Sequence, residues 1–217
     1  MDDIDFRQKF IMICGRRGSG KSEIMRFLYL KKRHLFHKTF VISPTDFSGF
    51  WQKLVGKENV FEKYDEEWIN KLLDRMKSTN KDKDKKGPDF KNVLLILDDV
   101  FSGLKGHTLK SLHKIATSGR HYGLTLTYVI QWLTNVDPTS RGNSDLIFYG
   151  KCNKNSNEIL EEEFNLGLSK QEFMDMCERC TNNHSFLVIN NTASDMGNLN
   201  SVYGQMCVPE NFINRKE

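Results

Sequence analysis

The sequence predicts an α/β protein in which helices flank a mostly parallel central sheet. Short apolar runs of strand length alternate with segments whose apolar residues recur at helical spacing. A glycine-rich segment, Gly15–Ser22, lies between the first apolar run and the first helical segment. A second apolar run, Val93–Leu97, ends directly in two carboxylates. This alternation is typical of parallel sheets with right-handed helical crossovers, which bind ligands at the carboxyl ends of their strands.

The individual elements follow this alternation in chain order. We predict strands at Phe10–Cys14, Lys38–Ser43, Val93–Leu97, Leu124–Ile130, Asp145–Tyr149 and Ser185–Ile189, with Tyr203–Val208 as a last strand. We predict helices after Lys21, at Tyr64–Met76, at His107–Ser118 and at Glu158–Cys180, the last broken near Gly167. Trp68, Leu72 and Met76 are four residues apart, so we expect them to form the core-facing stripe of their helix.

The 217 residues are predicted to form a single domain, residues 1–217, whose sheet is completed by residues from about 151 to 217. Residues 80–90 are predicted to be a mobile, lysine-rich loop. Asn80–Pro88 contains four lysines and no apolar residue that could anchor it. Such a segment cannot bury enough apolar surface to offset the entropy of ordering it.

Charge and cysteine usage exclude few functions. The formal net charge of +4 tolerates a polyanionic partner without requiring one. We interpret the basic clusters Lys31–Arg33 and Lys81–Lys86 as solvated faces, with nucleic-acid contact as the alternative. The five cysteines are odd in number and unevenly spaced, which argues against a disulfide framework. The acidic start, Met1–Asp5, and the shortness of the first apolar run predict neither export nor a membrane span, so we expect an intracellular protein.

The glycine-rich segment fits the phosphate-binding loop pattern Gly-x4-Gly-Lys-Ser/Thr, the Walker A motif. Its glycines allow backbone N–H groups to face a phosphate, and the helix that follows adds the positive end of its dipole. We expect Lys21 to bridge the β- and γ-phosphates of ATP and the Ser22 hydroxyl to ligate Mg²⁺. The predicted nucleotide-binding residues are Gly15, Arg16, Arg17, Gly18, Ser19, Gly20, Lys21 and Ser22.

The carboxylate pair after Val93–Leu97 is typical of a Walker B motif. We expect Asp98 to hold the Mg²⁺ ion and Asp99 to orient or deprotonate the attacking water. Gln131 follows the predicted strand Leu124–Ile130. An amide there can hydrogen-bond the γ-phosphate or the water, so we predict a nucleotide-sensing role for Gln131.

Five features together resemble a known family. They are Gly15–Ser22, the strand end Ser43-Pro44-Thr45, the pair Asp98-Asp99, Arg120-His121 ten residues before Gln131, and Pro138-x-x-Arg141-x-Asn143. On these features the chain resembles the DNA-packaging ATPases of nucleocytoplasmic large DNA viruses, the poxvirus-like branch of the FtsK/HerA superfamily. The resemblance covers about residues 10 to 150, and an Asp at position 99 departs from the Asp-Glu pair of FtsK and HerA themselves.

The resemblance implies a RecA-like P-loop NTPase that forms a homo-oligomeric ring, a pentamer or hexamer, on double-stranded DNA. It implies nonspecific DNA binding, ATP-driven packaging of the viral genome, and capsid or portal components as partners. It also implies a location at the viral assembly site in the host cytoplasm, with association with the virion as a further expectation. Contact of Lys105, Lys110 and Lys114 with DNA phosphates is a weaker expectation.

In such rings a neighbouring subunit supplies an arginine that neutralises charge on the γ-phosphoryl group. Arg120 and Arg141 are the two candidates for this role. Arg16 and Arg17, inside the phosphate loop, are the alternative, because they could act on their own subunit's nucleotide.

Two other classes of function stay open. A small P-loop kinase would need an acceptor pocket and an arginine-rich lid, and a nucleotide-gated interaction module would bind ATP without sustained turnover.

The spacing Cys177-x-x-Cys180-x-x-x-His184, with Cys207 as a fourth ligand, suits zinc. One turn of helical spacing between two thiols is common, however, so we favour packing over metal binding.

Overall fold

The computed structural model describes residues 4–85, 87–103, 107–209 and 212. Its strands are β1 (Phe10–Cys14), β2 (Lys38–Ile42), β3 (Val60–Phe61), β4 (Val93–Asp98), β5 (Leu124–Ile130), β6 (Leu146–Tyr149), β7 (Phe186–Asn190) and β8 (Tyr203–Met206). Its α-helices are α1 (Lys21–Lys32), α2 (Phe50–Val55), α3 (Glu66–Thr79), α4 (His107–Ser118), α5 (Pro138–Gly142), α6 (Lys154–Phe164), α7 (Lys170–Cys180) and α8 (Leu199–Val202).

The described strands form one sheet in the order β3-β2-β4-β5-β1-β6-β7-β8. β2 pairs in parallel with β3 and with β4, and β1 pairs in parallel with β6, so that Cys14 lies opposite Tyr149. β7 runs antiparallel to β6, and β8 runs antiparallel to β7. Helices separate the parallel strands along the chain, as crossover connections require.

The chain forms two compact units. Unit 1 contains the described residues of Met1–Phe10 and of Lys32–Tyr128. Its strand β4 is buried from Val93 to Leu97, since apolar residues without alternation suit a strand covered on both faces. The side chain of Asp65 caps α3 by accepting from the Trp68 N–H. The Trp68 ring then packs against Phe61 and Phe40, with ring centroids 4.5 and 5.1 Å away.

Unit 2 contains the described residues of Ile11–Lys31 and of Val129–Glu217. The described residues of β1 are fully buried, and helices α6 and α7 bury Leu160, Phe164 and Phe173. Helix α7 begins with a capping box, in which Ser169 and Glu172 satisfy each other's backbone N–H groups. This local pattern fixes where the helix starts.

The structure confirms the predicted fold class and corrects three details. The buried stripe of α3 is Ile69, Leu73 and Met76, whereas Trp68 and Leu72 are half-buried, so the predicted face was rotated by about one position. The helical region predicted from Glu158 begins at Lys154, because Asn153 caps it. The break near Gly167 is confirmed, and Gly167 lies there at φ +89°. The last two strands are antiparallel, a direction that apolar runs do not reveal.

The structure adds contacts at the ends of the predicted lysine-rich loop. Asn80 and Phe90 are buried, with 8% and 6% of their surface exposed. The loop is therefore anchored at both ends, while Lys86 lies outside the described residues. Its mobility and the single-domain organisation stay predictions.

Candidate functional site

The phosphate loop follows directly from the end of β1. The Gly15 N–H donates to the Ile130 carbonyl at 3.2 Å, and the Arg16 N–H donates to the Lys151 carbonyl at 2.8 Å. Ile130 is the last residue of β5 and Lys151 follows β6, and both acceptors belong to unit 2. The start of the loop is therefore fixed by backbone bonds. A loop held in this way presents its groups in one geometry.

Two glycines give the loop its curvature. Gly18 and Gly20 have φ angles of +75° and +92°, in the left-handed region that side chains disfavour. The turn brings the backbone back so that Lys21 can begin α1. The pattern of glycines therefore has a backbone cause, independent of any ligand.

Two side chains of the loop are suited to an anion. The Lys21 ammonium donates to the carbonyls of Gly15 and Arg16 at 2.6 and 3.1 Å, which places its charge over the loop. The Ser19 hydroxyl is buried and has no hydrogen-bond partner among the described residues, and buried polar groups are normally satisfied. With the helix N-terminus behind them, these groups can hold phosphate.

The acidic end of β4 lies in unit 1 and is held by side chains distant in sequence. The indole N–H of Trp51 donates to Asp98 Oδ2 at 2.7 Å, and the Ser43 hydroxyl donates to the same oxygen at 3.5 Å. Trp51 is 1% exposed, so its donor is fixed by packing. The carboxylate of Asp98 is thereby oriented before any ligand binds.

Asp99 has an unusual backbone conformation. Its φ is +53°, a left-handed value that is uncommon for a residue with a side chain. Such outliers cluster at functional sites because the surrounding structure holds them in place. The outlier falls on the carboxylate that the sequence predicts to be catalytic.

Gln131 follows β5 and is half-buried. Its carbonyl accepts from the thiols of Cys14 and Cys152, each at 3.8 Å from sulfur. The residue before the phosphate loop thus lies against the backbone of the predicted sensor. No feature of the sequence indicates this contact.

Arg120 lies in a 3-10 turn, Gly119–Tyr122, after α4. The turn is held by the buried Asn80 side chain, whose amide donates to the Tyr122 carbonyl at 2.8 Å and to the Lys91 carbonyl at 3.0 Å. Its oxygen also accepts from the Lys91 N–H. The Asn80 side chain therefore ties the turn that carries Arg120 to the backbone of Lys91, and Arg120 itself is half-buried.

Arg141 is committed to contacts inside unit 2. It is 6% exposed, and its guanidinium donates to both carboxylate oxygens of Glu163 and to the carbonyls of Leu133 and Val136. An arginine that enters a neighbour's site needs an accessible guanidinium. The geometry therefore argues against the arginine-finger role for Arg141 and assigns it to fixing the loop after Gln131.

Arg16 and Arg17 are exposed. Arg16 lines a cavity of about 300 Å³ together with Ser19, Lys151, Asn182 and His184. Arg16 of the phosphate loop, with Lys151 and His184 beside it, suits an anionic ligand.

The remaining predicted residues are less informative. Cys177 is buried, and burial raises the pKa of its thiol to about 12, which suits a packed and unreactive cysteine. Within the described part of the chain, no cluster of three or more His, Cys, Asp or Glu side chains could hold a metal ion. Mg²⁺ commonly takes one or two protein ligands and completes its shell with phosphates and water.

The basic residues considered for DNA divide into described and undescribed ones. Lys114 is exposed on α4, whereas Lys105 and the side chain of Lys110 lie outside the described residues. In the cluster Lys31–Arg33, the Lys32 ammonium donates to the Ile4 carbonyl and lies over the Phe6 ring. No helix among the described residues has the length and apolarity that crossing a bilayer requires.

Sequence reasoning missed Trp51 and Asn80. Each is a buried polar side chain that acts over a long sequence separation, on Asp98 and on Tyr122. Neither belongs to a motif, and neither lies at a position that periodicity would single out. The only sequence signal near these contacts is the segment Ser43-Pro44-Thr45, which is one of the features that carry the resemblance and which includes a donor to Asp98.

Three comparisons place the chain among known proteins. The family described as Poxvirus A32 protein matches residues 3–206. The Invertebrate iridescent virus 6 protein named Uncharacterized protein 075L is 28% identical over 190 residues, which are 86% of this chain and 72% of that protein. The Acanthamoeba polyphaga mimivirus protein named Uncharacterized protein L437 is 30% identical over 189 residues, 83% of this chain and 66% of that protein.

A solved structure shares the fold. It is the genome packaging NTPase B204 from Sulfolobus turreted icosahedral virus 2, in complex with AMPPCP. Its TM-score is 0.63 at 16% identity, and the match covers 93% of this chain and 98% of that one. The likeness confirms the α/β fold of P-loop NTPases for this sequence.

Proposed function

We propose, from the premise that this chain belongs to the Poxvirus A32 protein family, that it is an ATPase that drives double-stranded DNA into a viral capsid. The observation that carries the proposal is the loop Gly15–Ser22, with its left-handed glycines, its Lys21 ammonium and its unpartnered Ser19 hydroxyl. These groups form an anion site at the start of a helix.

The proposal gives each predicted residue a role. Gly15–Ser22 holds the phosphates of ATP, and Ser22 and Asp98 are the protein ligands of Mg²⁺. The metal supplies neutralisation of charge on the phosphate oxygens. Asp99 orients or deprotonates the attacking water, and Gln131 senses the γ-phosphate. The hydrogen bonds from Trp51 and Ser43 support the role of Asp98 because they orient its carboxylate.

The genome-packaging part of the proposal rests on the relatives. The structurally similar B204 protein carries the description genome packaging NTPase and was solved with an ATP analogue. By extension, this chain forms a ring on duplex DNA and contacts the DNA phosphates without sequence specificity. It works with capsid or portal components in the host cytoplasm. Lys114 is an exposed candidate for such a contact, and binding through phosphates weakens steeply with salt.

Arg120 is our candidate for the arginine that acts between subunits, since Arg141 is engaged inside its own unit. We expect Arg120→Ala to lose turnover by about 10³-fold. Mixing it with Lys21→Ala subunits should restore part of the turnover, because each variant supplies the part that the other lacks. No rescue at any mixing ratio would move the role to Arg16 or Arg17.

The test of the function is steady-state ATP hydrolysis against protein concentration, with and without long duplex DNA, and with Lys21→Ala as the blank. Turnover that rises faster than linearly with protein and increases with DNA would support a ring motor. Linear turnover that is indifferent to DNA, with phosphate transfer to a small acceptor, would instead favour a kinase. Tight ATP binding without turnover at any concentration would favour a nucleotide-gated interaction module.

A further inference from the structure

Two thiols lie in contact at the base of the phosphate loop. Cys14 ends β1 directly before Gly15, and its sulfur is 3.5 Å from the sulfur of Cys152. Both cysteines belong to unit 2. A disulfide has an S–S distance of about 2.05 Å, so a closure of about 1.5 Å separates the pair from a covalent bond.

The backbone around the two thiols is already joined. The Gly150 N–H donates to the Cys14 carbonyl, and the Arg16 N–H donates to the Lys151 carbonyl, each at 2.8 Å. Parallel pairing of β1 with β6 sets Cys14 opposite Tyr149. Backbone hydrogen bonds therefore hold the two thiols close, and closing the remaining gap between the sulfurs would strain the start of the loop.

The two cysteines differ in access and in acidity. Cys14 is 0% exposed, and burial raises the pKa of its thiol. Cys152 is half-buried and lines a cavity of about 280 Å³ with Asn157, Met174 and Asp175. The hydrogen bond with Cys14 is the largest influence that lowers the pKa of the Cys152 thiol, and the Tyr149 hydroxyl and the Lys21 charge act in the same direction.

We propose that Cys14 and Cys152 form a reversible disulfide under peroxide, and that this modification switches the phosphate loop off. The chemistry runs in two balanced steps. The Cys152 thiolate attacks one oxygen of hydrogen peroxide, an S–O bond forms, the O–O bond breaks, and hydroxide leaves. The Cys14 sulfur then attacks the Cys152 sulfur, the S–S bond forms, the S–O bond breaks, and the second hydroxide takes up the Cys14 proton as water.

Each thiol has a role that suits its surroundings. The accessible and more acidic thiol reacts with the oxidant, and the buried one resolves the sulfenic acid. A dithiol reductant reverses the bond by exchange. Transient disulfides of this kind are the usual form in reducing compartments.

The effect on the loop, which rests on the proposed function, follows from position. Cys14 is adjacent to Gly15, whose carbonyl accepts from the Lys21 ammonium. Both thiols also contact the Gln131 carbonyl, and oxidation removes these S–H donors. A displacement of about 1 Å at a positioned group can lower turnover by about 10²-fold. We therefore expect the ATP turnover of the oxidised protein to be at least tenfold lower than that of the reduced protein.

The first test is chemical and does not depend on activity. The full chain is treated with hydrogen peroxide, its remaining thiols are alkylated, and the peptides are mapped by mass spectrometry without reduction. We expect a Cys14–Cys152 link that dithiothreitol removes. Oxidation confined to other cysteines, or Cys152 over-oxidised without a link, would overturn the proposal.

The second test measures ATP turnover before and after peroxide. Cys180→Ser and Cys207→Ser are the matched controls, since one residue is half-buried and the other exposed, and both should stay sensitive. Cys152→Ala should resist peroxide. Equal losses in Cys152→Ala and in wild type would overturn the switch.

The two tests also separate this inference from the proposed function. A link in a protein that never hydrolyses ATP would refute the ATPase and keep the disulfide. Turnover without a link would do the reverse. Because the mapping uses wild-type protein, misfolding of a Cys14 variant cannot obscure the result.

Discussion

The phosphate loop of unit 2 and the acidic strand end of unit 1 are built in different ways. The loop is shaped by its own residues, with glycines at positive φ and a lysine that bonds to carbonyls five and six positions earlier. The acidic end depends on Trp51, which is 47 positions from Asp98. A feature made locally is visible in a sequence, whereas one made by distant side chains requires the fold.

The largest effect tests the local feature. Lys21→Ala should lower kcat/KM for ATP by about 10³-fold, because it removes the charge over the loop. Lys154→Ala is the matched control, since Lys154 is likewise the first residue of a helix in unit 2 and is exposed. Nucleotide binding is measured with a fluorescent ATP analogue. Normal turnover in Lys21→Ala would remove the loop from the site.

The next effect tests the strained carboxylate. Asp99→Asn should bind ATP normally and lose turnover by about 10²-fold, because Asn tolerates the left-handed backbone but cannot accept a proton. Asp82→Asn, at φ +58° in an exposed turn, tests whether such a change disturbs folding. Turnover is measured at saturating ATP, and a fully active Asp99→Asn would place the base elsewhere.

A smaller effect tests the long-range support. Trp51→Phe keeps the packing but removes the N–H donor to Asp98, so turnover should fall by about tenfold and need more Mg²⁺. Trp68→Phe is the control, since that ring packs on Phe61 and Phe40. The readout is a Mg²⁺ titration of ATP hydrolysis. Identical curves for Trp51→Phe and wild type would show that Asp98 does not need the Trp51 donor.

The smallest effect concerns the capping box of α7, another local feature. Ser169→Ala should lower Tm by about 2–4 °C with turnover unchanged. The Ser169 bonds lower the pKa of Glu172 below its ordinary value of 4.5. This stabilisation is present above about pH 4.5 and is lost as the pH falls through the lowered folded-state pKa. The gap in Tm should therefore shrink in acid, and a gap that grows would contradict the assignment.

The sequence predicted the longer strands and the helices α1, α3, α4, α6 and α7, because each depends on neighbours within about one turn. It missed the short elements β3, α2, α5 and α8. It misjudged the stripe of α3, since Ile69 and Leu73 pack inward where Trp68 and Leu72 were expected. The half-buried Trp68 instead completes an aromatic cluster with residues of β2 and β3. Strand direction depends on the path of the connection, so the antiparallel β7 and β8 could not be predicted.

Among the candidate residues, Arg141 shows the limit of a motif. Its spacing from Asn143 supports the family, and its chemistry suits a γ-phosphate. Only the fold reveals that Glu163, Leu133 and Val136 already take its donors. The positive φ of Asp99 is equally invisible, because adjacent aspartates carry no signature of a left-handed backbone.

The contacts of Asn80 indicate a place where residues can be inserted into the chain. Its side chain donates to the Lys91 carbonyl and accepts from the Lys91 N–H. These two hydrogen bonds join the ends of the loop that runs from Asn80 to Lys91. The entropic cost of closing a loop rises by only about 0.6 kcal/mol for each doubling of its length. Exposed polar loop tips also tolerate insertions. A peptide tag or dye-labelling sequence placed after Lys83 should leave both units intact and report on the protein during turnover.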